Sequence, residues 1–256
     1  MSLIKTKEEI AKLRVGGKRL ARIVSEVAKR VKPGVTTLEL NNFVQDWIYK
    51  KGDMPSFLGY TPSGATRPFP AAICISINEE VVHGVANEDP RVIMEGDIVS
   101  LDCGITHGGL ITDHAISVIA GRADKKTKAL LKATKDAMMA GIKAAKGGAK
   151  VGDISAAIEK VGVKAGYGIV FELGGHGVGH HVHEEPYIPN VGDAGTGDEL
   201  VAGMVLAIEP MLTEGTPRVK LMPDGYTFVT KDGSRAAHFE HTILITRGKP
   251  EILTQL

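Results

Sequence analysis

Apolar residues at Ile10, Leu13, Leu20, Val24, Val27 and Val31 recur at three- and four-residue intervals, which predicts an amphipathic helix over 7–31. Thr6 with Glu9 forms a capping box at its start, and Lys32-Pro33-Gly34 ends it. Thr36 with Glu39 repeats the box and opens a second helix that stops near Gly52. Over 53–72, prolines and glycines such as Gly59 and Gly64 break every period and predict a loop. AICISI (72–77), DIVSLD (97–102) and AISVIA (115–120) then read as strands. A long helix over 124–146 ends at Gly147-Gly148, a shorter one over 153–165 ends at Gly166, and MVLAIE (204–209) and HTILIT (241–246) close the series as strands.

The order of elements thus occurs twice, and the strands align. EGDIVSLD (95–102) lies against AGMVLAIE (202–209), matching Gly96 to Gly203 and Asp102 to Glu209. TDHAISVIAG (112–121) lies against FEHTILITRG (239–248), matching Asp113 to Glu240 and Gly121 to Gly248. His83-Gly84-Val85 has its counterpart in His176-Gly177-Val178. The pattern predicts an α/β or α+β protein with a single domain over 1–256, built from two similar halves (about 7–121 and 124–248). A pseudo-twofold axis would relate the halves, with a site between them.

Composition narrows the function classes. The chain has 256 residues, 43% hydrophobic and 24% charged, enough apolar material for a substantial core. A net charge of +1 gives no global bias towards nucleic acid or an anionic membrane. Two cysteines, Cys74 and Cys103, argue against a disulfide framework and fit a reducing compartment. The opening MSLIKTKEEIAKL lacks the apolar centre of a signal peptide, and no apolar run is long enough to span a bilayer. A cytoplasmic location is the expectation.

The chemistry lies in the matched acids. Asp102 and Asp113 are eleven residues apart around a Gly-rich turn, Gly104 to Gly109, so two paired strands would bring their carboxylates together. Glu209 and Glu240 obey the same logic. A single strand-end carboxylate is ordinarily a surface residue; the symmetric spacing is what makes these four a set. Four converging carboxylates in an apolar setting repel unless a cation neutralises them. A pair of ions with bridging carboxylates resolves this, and one or two imidazoles beside them suit Mn, Fe, Co or Zn. GGHGVGHHVHEEP (174–186) is the source of imidazoles. His176 and His180 have two-His helical spacing, but Gly177-Val178-Gly179 is poor helix material, and Tyr187 stands where the second His of H-E-x-x-H would be. A Gly-rich strand or loop would turn one or two of these histidines to the site. His107, His114, His180 and His181 read as solvated or hydrogen-bonded bystanders. Cys103 should face away from Asp102 into the core. Cys74 suits a pocket or a core, and Trp47 suits packing.

Taken together, CISINEEVVHGV (74–85), LDCG and ITDHA within 101–115, GGHGVGHHVHEEP, AIEPM (207–211) and HFEHTILIT (238–246) resemble the type I methionine aminopeptidases over nearly the whole chain. The resemblance implies the pita-bread fold, a mostly antiparallel sheet flanked by helices. It implies removal of the N-terminal methionine from nascent proteins by a water or hydroxide shared between two divalent ions (Co, Mn, Fe or Zn), with a small second residue preferred. The implied ligands are Asp102, Asp113, His176, Glu209 and Glu240, with Asp113 and Glu240 bridging. His83, His183 and Glu209 would be catalytic. His83, His183 and Cys74 would also contact substrate, with Tyr60, Phe69 and Tyr226 as pocket neighbours; the 57–70 loop, which holds the first two, is longer than the usual form. The implied partners are nascent chains and the ribosome, although the near-neutral charge offers no ribosome-binding patch. Neither nucleic acid nor membrane is implied, and a monomer is expected.

Two positions depart from the family pattern. Asp113 is followed by His114-Ala115 where a small hydroxyl residue is common, and Asp102 by Cys103-Gly104 where a threonine often lies two positions on. Both could retune metal affinity without removing a ligand. The zinc-binding N-terminal extension of eukaryotic forms is also missing, as in minimal bacterial ones. An X-Pro aminopeptidase or prolidase is the nearest rival reading. Those enzymes usually carry an extra N-terminal domain, and an acidic residue commonly follows their last Glu, where this chain has His241-Thr242. A non-catalytic binding protein is a rival of another class, weighed against by the complete ligand set, and a metal-storage or structural role is another, weighed against by the intact non-ligand histidines.

Overall fold

The computed structural model describes residues 3–256. Helices α1 (Lys7–Ala28) and α2 (Thr37–Lys50) come first, followed by strands β1 (Met54–Pro55), β2 (Cys74–Ile77), β3 (Glu80–Val82), β4 (Ile98–His107) and β5 (Leu110–Ile119). Then come α3 (Lys125–Ala144), α4 (Val151–Ala165), β6 (Gly168–Ile169), β7 (Gly174–Gly177), β8 (Glu184–Pro189), β9 (Val205–Ile208) and β10 (Met211–Thr213). The last strands are β11 (Val219–Leu221), β12 (Phe228–Thr230), β13 (Ala236–His238), β14 (His241–Leu244) and β15 (Glu251–Ile252).

Both predicted capping boxes form. Thr6 Oγ1 accepts from Glu9 N at 3.2 Å and Glu9 Oε2 accepts from Thr6 N at 2.7 Å. Thr36 and Glu39 make the same reciprocal pair at 3.2 and 2.8 Å. Thr36→Ala should therefore cost about 1 kcal/mol of stability, read from the urea midpoint. The first helix stops three residues short of the predicted end. Pro33 disfavours helical geometry at the residue before it, so the chain leaves the helix, yet Val31 still buries its side chain from the turn. The fourth helix starts two residues earlier than predicted, because Asp153 accepts from Lys150 N at 2.8 Å; Gly166, at φ +77, ends it.

Every strand pairing is antiparallel, as expected, but the sheet is divided into four parts. In the first half, β4 pairs with β5 along one edge and with β2 and β1 along the other. In the second half the order is β15-β14-β9-β7-β8. One apolar core packs α1 and α2 against the first-half strands, with Leu20, Val24, Ile48, Leu101 and Cys103 fully enclosed. A second packs α3 and α4 against the second-half strands around Leu130, Ile154, Leu206 and Ile243. Trp47 packs against the first core, as predicted.

The halves join where β5 meets β14. Thr242 Oγ1 accepts from Asp113 N at 2.8 Å and donates to Asp113 O at 2.6 Å, while Glu240 N donates to Ala115 O at 2.8 Å. The two acids that the repeat equates therefore stand on backbones bonded directly to each other.

Candidate metal centre

The β4–β5 hairpin corrects one prediction and explains another. The turn is only Gly108-Gly109, both at positive φ, so Gly104 lies inside the strand opposite Asp113. A side chain at Gly104 would meet the Phe57 ring at 2.7 Å, which is why glycine fits there. Residues facing each other across a ladder share a face, as do residues two apart along a strand. Asp113 faces Gly104 and Asp102 is two residues from Gly104, so both aspartates point the same way. Cys103, between them in sequence, points into the core as expected.

In the second half, β9 ends at Ile208, which faces His241 at the start of β14. Glu209 and Glu240 are the next residues on the two chains. His176 faces Ala207, so it shares a face with Glu209, and its Nε2 lies 3.3 Å from Glu209 Oε1. His176 precedes Gly177, where a Cβ would meet Glu185 O at 2.1 Å; at the matched position, a Cβ on Gly84 would meet Ile75 O at 2.2 Å. Each His-Gly pair is thus a place where a second backbone passes too close for a side chain.

Ligand atoms of Asp113, His176 and Glu240, all buried, lie within 4.8 Å of one another. Asp102 Oδ1 and Glu240 Oε1 are buried without a hydrogen-bond partner among the described residues. Burial, reinforced by the neighbouring carboxylates, drives Asp113 and Glu240 well above the ordinary carboxylate range. Burial also raises Asp102, to about 6. Glu209 behaves oppositely: burial alone would raise it, but the imidazoles of His176 and His238 beside it bring it down to about 2. His176 is raised in turn, since Glu209 outweighs the burial that would lower it. Orphaned oxygens and mutually repelling acids are the environment a divalent cation relieves, and the mixed oxygen and nitrogen donors suit a borderline transition metal. The residues present fit such an ion.

His238 was missed in the sequence. Its Nε2 sits 3.6 Å from Glu209 Oε2, in a fully buried position. The clue was alternation: His238 is two residues before Glu240.

Above the carboxylates opens a cavity of about 540 Å³. It holds all five predicted ligands, His83 and His183, and the predicted neighbours Tyr60, Phe69, Cys74 and Tyr226; Phe57, Val182 and Tyr187 join them unpredicted. Phe69 and Tyr226 meet edge to face at 5.1 Å. Burial holds the Cys74 thiol well above its usual range, so it is a neutral, soft wall rather than a nucleophile. His83 is held at φ +60, a conformation uncommon outside glycine. His183 stands at right angles to His176, ring centres 4.5 Å apart. Burial brings His83 down to about 4, and desolvation with His176 alongside lowers His183 in the same direction although that residue is exposed; both are neutral near pH 7.

Three of the four bystander histidines are hydrogen-bonded through their rings. His107 Nδ1 meets Asp53 at 2.7 Å. His114 lies on the reverse face of the sheet, gives its Nδ1–H to Glu240 O at 2.5 Å, and stacks on His241 at 4.6 Å. His180 bonds through Nε2 to Glu9 at 2.7 Å, with Lys5 Nζ 3.2 Å from its Nδ1. His181 is exposed. Glu184 accepts from the backbone of His180 and His181 and from buried Lys5 at 2.6 Å.

Residues 11–247 match the model of metallopeptidase family M24. The chain belongs to that family. Among its relatives, "Methionine aminopeptidase" of Aquifex aeolicus is 47% identical, the match covering 98% of each chain. "Methionine aminopeptidase 1" of Bacillus subtilis is 40% identical over the full length of both. The methionine aminopeptidase structure from Thermotoga maritima superposes with a TM-score of 0.94 at 43% identity, covering 99% of each chain. A prolidase from Pyrococcus furiosus shares the fold at 23% identity and a TM-score of 0.77, and this chain spans 66% of it. The fold is therefore the pita-bread fold of this M24 group. No helix among the described residues is long and apolar enough to cross a membrane.

Proposed function

We propose that this chain is a methionine aminopeptidase that removes the N-terminal methionine of nascent polypeptides in the cytoplasm. It would act as a monomeric catalytic domain of two similar halves. The observation that carries the reading is the convergence of Asp113, His176 and Glu240, with Asp102 and Glu209 beside them, at the floor of an apolar cavity that two neutral histidines overlook. The near full-length relatives named methionine aminopeptidase support it.

Asp102, Asp113, His176, Glu209 and Glu240 would hold two divalent ions, shared through Asp113 and Glu240. Bound there, the ions supply Lewis acidity and make water a nucleophile near neutral pH. The chain's own residues do the rest. Phe69, Tyr226, Val182 and the Cys74 thiol receive the methionine side chain, soft sulfur against soft sulfur. The acidic floor attracts the free α-amine, which sets exopeptidase register. His183 donates to the carbonyl oxygen of the first peptide bond as negative charge grows there. His83 faces the scissile nitrogen or the second residue, and the limited space beyond favours a small one. Glu209, ionised before the reaction, takes a proton from the attacking water and passes it to the leaving amine.

The purified protein loaded with Mn, Fe or Co should release Met from a Met-Ala-Ser peptide and leave Xaa-Pro peptides intact. His183→Ala should cut kcat by about 10²–10³, the cost of one oxyanion donor, without lowering metal content; His83→Ala should also cut turnover. Failure to release methionine with any of the metals overturns the reading.

A further inference from the structure

Tyr60 does more than line the cavity. Its hydroxyl lies 3.0 Å from His183 Nδ1, which leaves Nε2 as the ring nitrogen free for the role assigned above. The two rings meet at 61° with centres 5.5 Å apart. No other hydrogen-bond partner of this hydroxyl exists among the described residues.

A neutral imidazole carries one N–H, and its two nitrogens cannot both donate. His183 can donate to a substrate carbonyl only if the hydrogen is on Nε2. Nδ1 must then be the acceptor, and a phenol hydroxyl facing it must donate. The opposite arrangement, with Nδ1–H donating to the Tyr60 oxygen, would turn a lone pair on Nε2 towards the carbonyl oxygen and repel it. The partner of Nδ1 therefore selects the form of the ring that can work.

The placement of Tyr60 suits that task. It lies at the stem of the 57–70 loop, not at its tip. Tyr60 N donates to Phe57 O at 2.9 Å, Tyr60 O accepts from Phe69 N at 2.8 Å, and Gly59 N donates to Phe69 O at 2.9 Å. Beyond the stem, Arg67 pairs with Glu88 and donates to Asp224 O at 3.0 Å, while the Tyr226 hydroxyl donates to Arg67 O. The loop is tied at both ends, so the phenol is offered from a fixed position. On the other side, Glu184 anchors the chain next to His183 through Lys5 and the His180 and His181 amides.

We propose that Tyr60 is a positioning residue: its O–H donates to His183 Nδ1, fixes the tautomer with hydrogen on Nε2, and aims that N–H at the carbonyl oxygen of the first peptide bond. The inference rests on the function proposed above. It distinguishes Tyr60 from its wall neighbours Phe69 and Cys74, which touch only the methionine side chain.

The test is Tyr60→Phe, which keeps the ring and removes only the hydroxyl. A wall residue losing a remote oxygen would alter KM or the choice of first residue and leave kcat alone. A positioning residue should lower kcat by about 10- to 100-fold with KM within about twofold, less than complete loss of a donor. Tyr60→Leu separates the two roles further, since it should raise KM as well. The direct readout is the ¹⁵N spectrum of the histidine rings in the zinc-loaded protein, with His183 assigned from the His183→Asn difference. The parent should show hydrogen on Nε2 and a bare Nδ1, and Tyr60→Phe should show a mixture or the reverse. Hydrogen on Nδ1 in the parent, or Tyr60→Phe with unchanged kcat, overturns the proposal. A parent that releases no methionine overturns the functional reading instead, and the spectrum still reports the tautomer.

Discussion

Asp113→Asn should abolish methionine release and, in the metal-free protein at mildly alkaline pH, raise the melting temperature. The two effects have one cause. Asp113, Asp102 and Glu240 are buried together, and each is shifted up because its charged form is poorly solvated and faces other charges. An acid whose pKa is higher folded than unfolded binds more protons in the folded state, so stability falls as pH rises through the shifted range. On the alkaline side of neutrality the metal-free parent should therefore lose stability as pH rises, and His176, also raised, works in the same direction. Below about pH 6.5 an opposing slope enters. His83, His114, His183 and His241, lowered to between about 3 and about 4, charge in the unfolded chain before they do in the folded one. The alkaline side leaves these four histidines out of the balance, and Asn at 113 should flatten the slope there. With metal present the order inverts: the parent gains stability by binding ions only when folded, and the variant gains less. Metal affinity should fall on acidification as protons compete for the carboxylates. Loss of a ligand should weaken binding by more than about 100-fold, beyond what altering an outer partner costs. Melting curves in chelator and in Mn, at several pH values, read all of this. A parent whose metal-free stability is flat or rising over the alkaline window contradicts the account.

Lys5→Met should destabilise the protein by about 3–5 kcal/mol, the usual cost of leaving one member of a buried ion pair alone. The Lys5 side chain is fully enclosed and the Glu184 side chain nearly so, with 2.6 Å between charges. Glu184 also takes the His180 and His181 amides, at 2.5 and 3.0 Å, so an unpaired charge there would strain the turn that presents His183. Urea denaturation of Lys5→Met, Glu184→Gln and the double variant separates the terms. The double variant should recover part of the loss, and full additivity would mean the two residues act independently. Turnover should fall as well, although neither residue lines up with the reacting bond.

Much of this was legible in the sequence, and for identifiable reasons. Helix starts announced themselves because Thr6, Glu9, Thr36 and Glu39 bond within a single turn, so no distant partner enters. The matched acids were found because strand alternation and the repeat act on the same positions; Asp113 and Glu240 do meet. The short strands of the second half, β6, β8 and β10 to β13, were not predicted. Two- to six-residue segments such as Gly168–Ile169 carry too little alternation, and only pairing with remote partners extends them. The partner of His183 was equally hidden. Tyr60 and His183 are 123 residues apart, and the phenol reads as one more aromatic wall until the loop stem is seen. Nothing local to Lys5 reveals that it is buried against Glu184. His114 was read as a bystander; the structure puts it behind Glu240, on the opposite side of the sheet from the cavity.

The two-residue turn at Gly108-Gly109 decides where this gene could tolerate a change of length. Adding residues at the tip only lengthens a surface loop, and the ten-residue strands below keep their partners. One residue added between Asp102 and His107, or between Leu110 and Asp113, must be absorbed as a bulge or it slips the ladder by one position and turns one aspartate to the opposite face. Natural insertions among relatives should therefore gather at the tip and avoid the few positions on either side, even though those positions hold no ligand themselves.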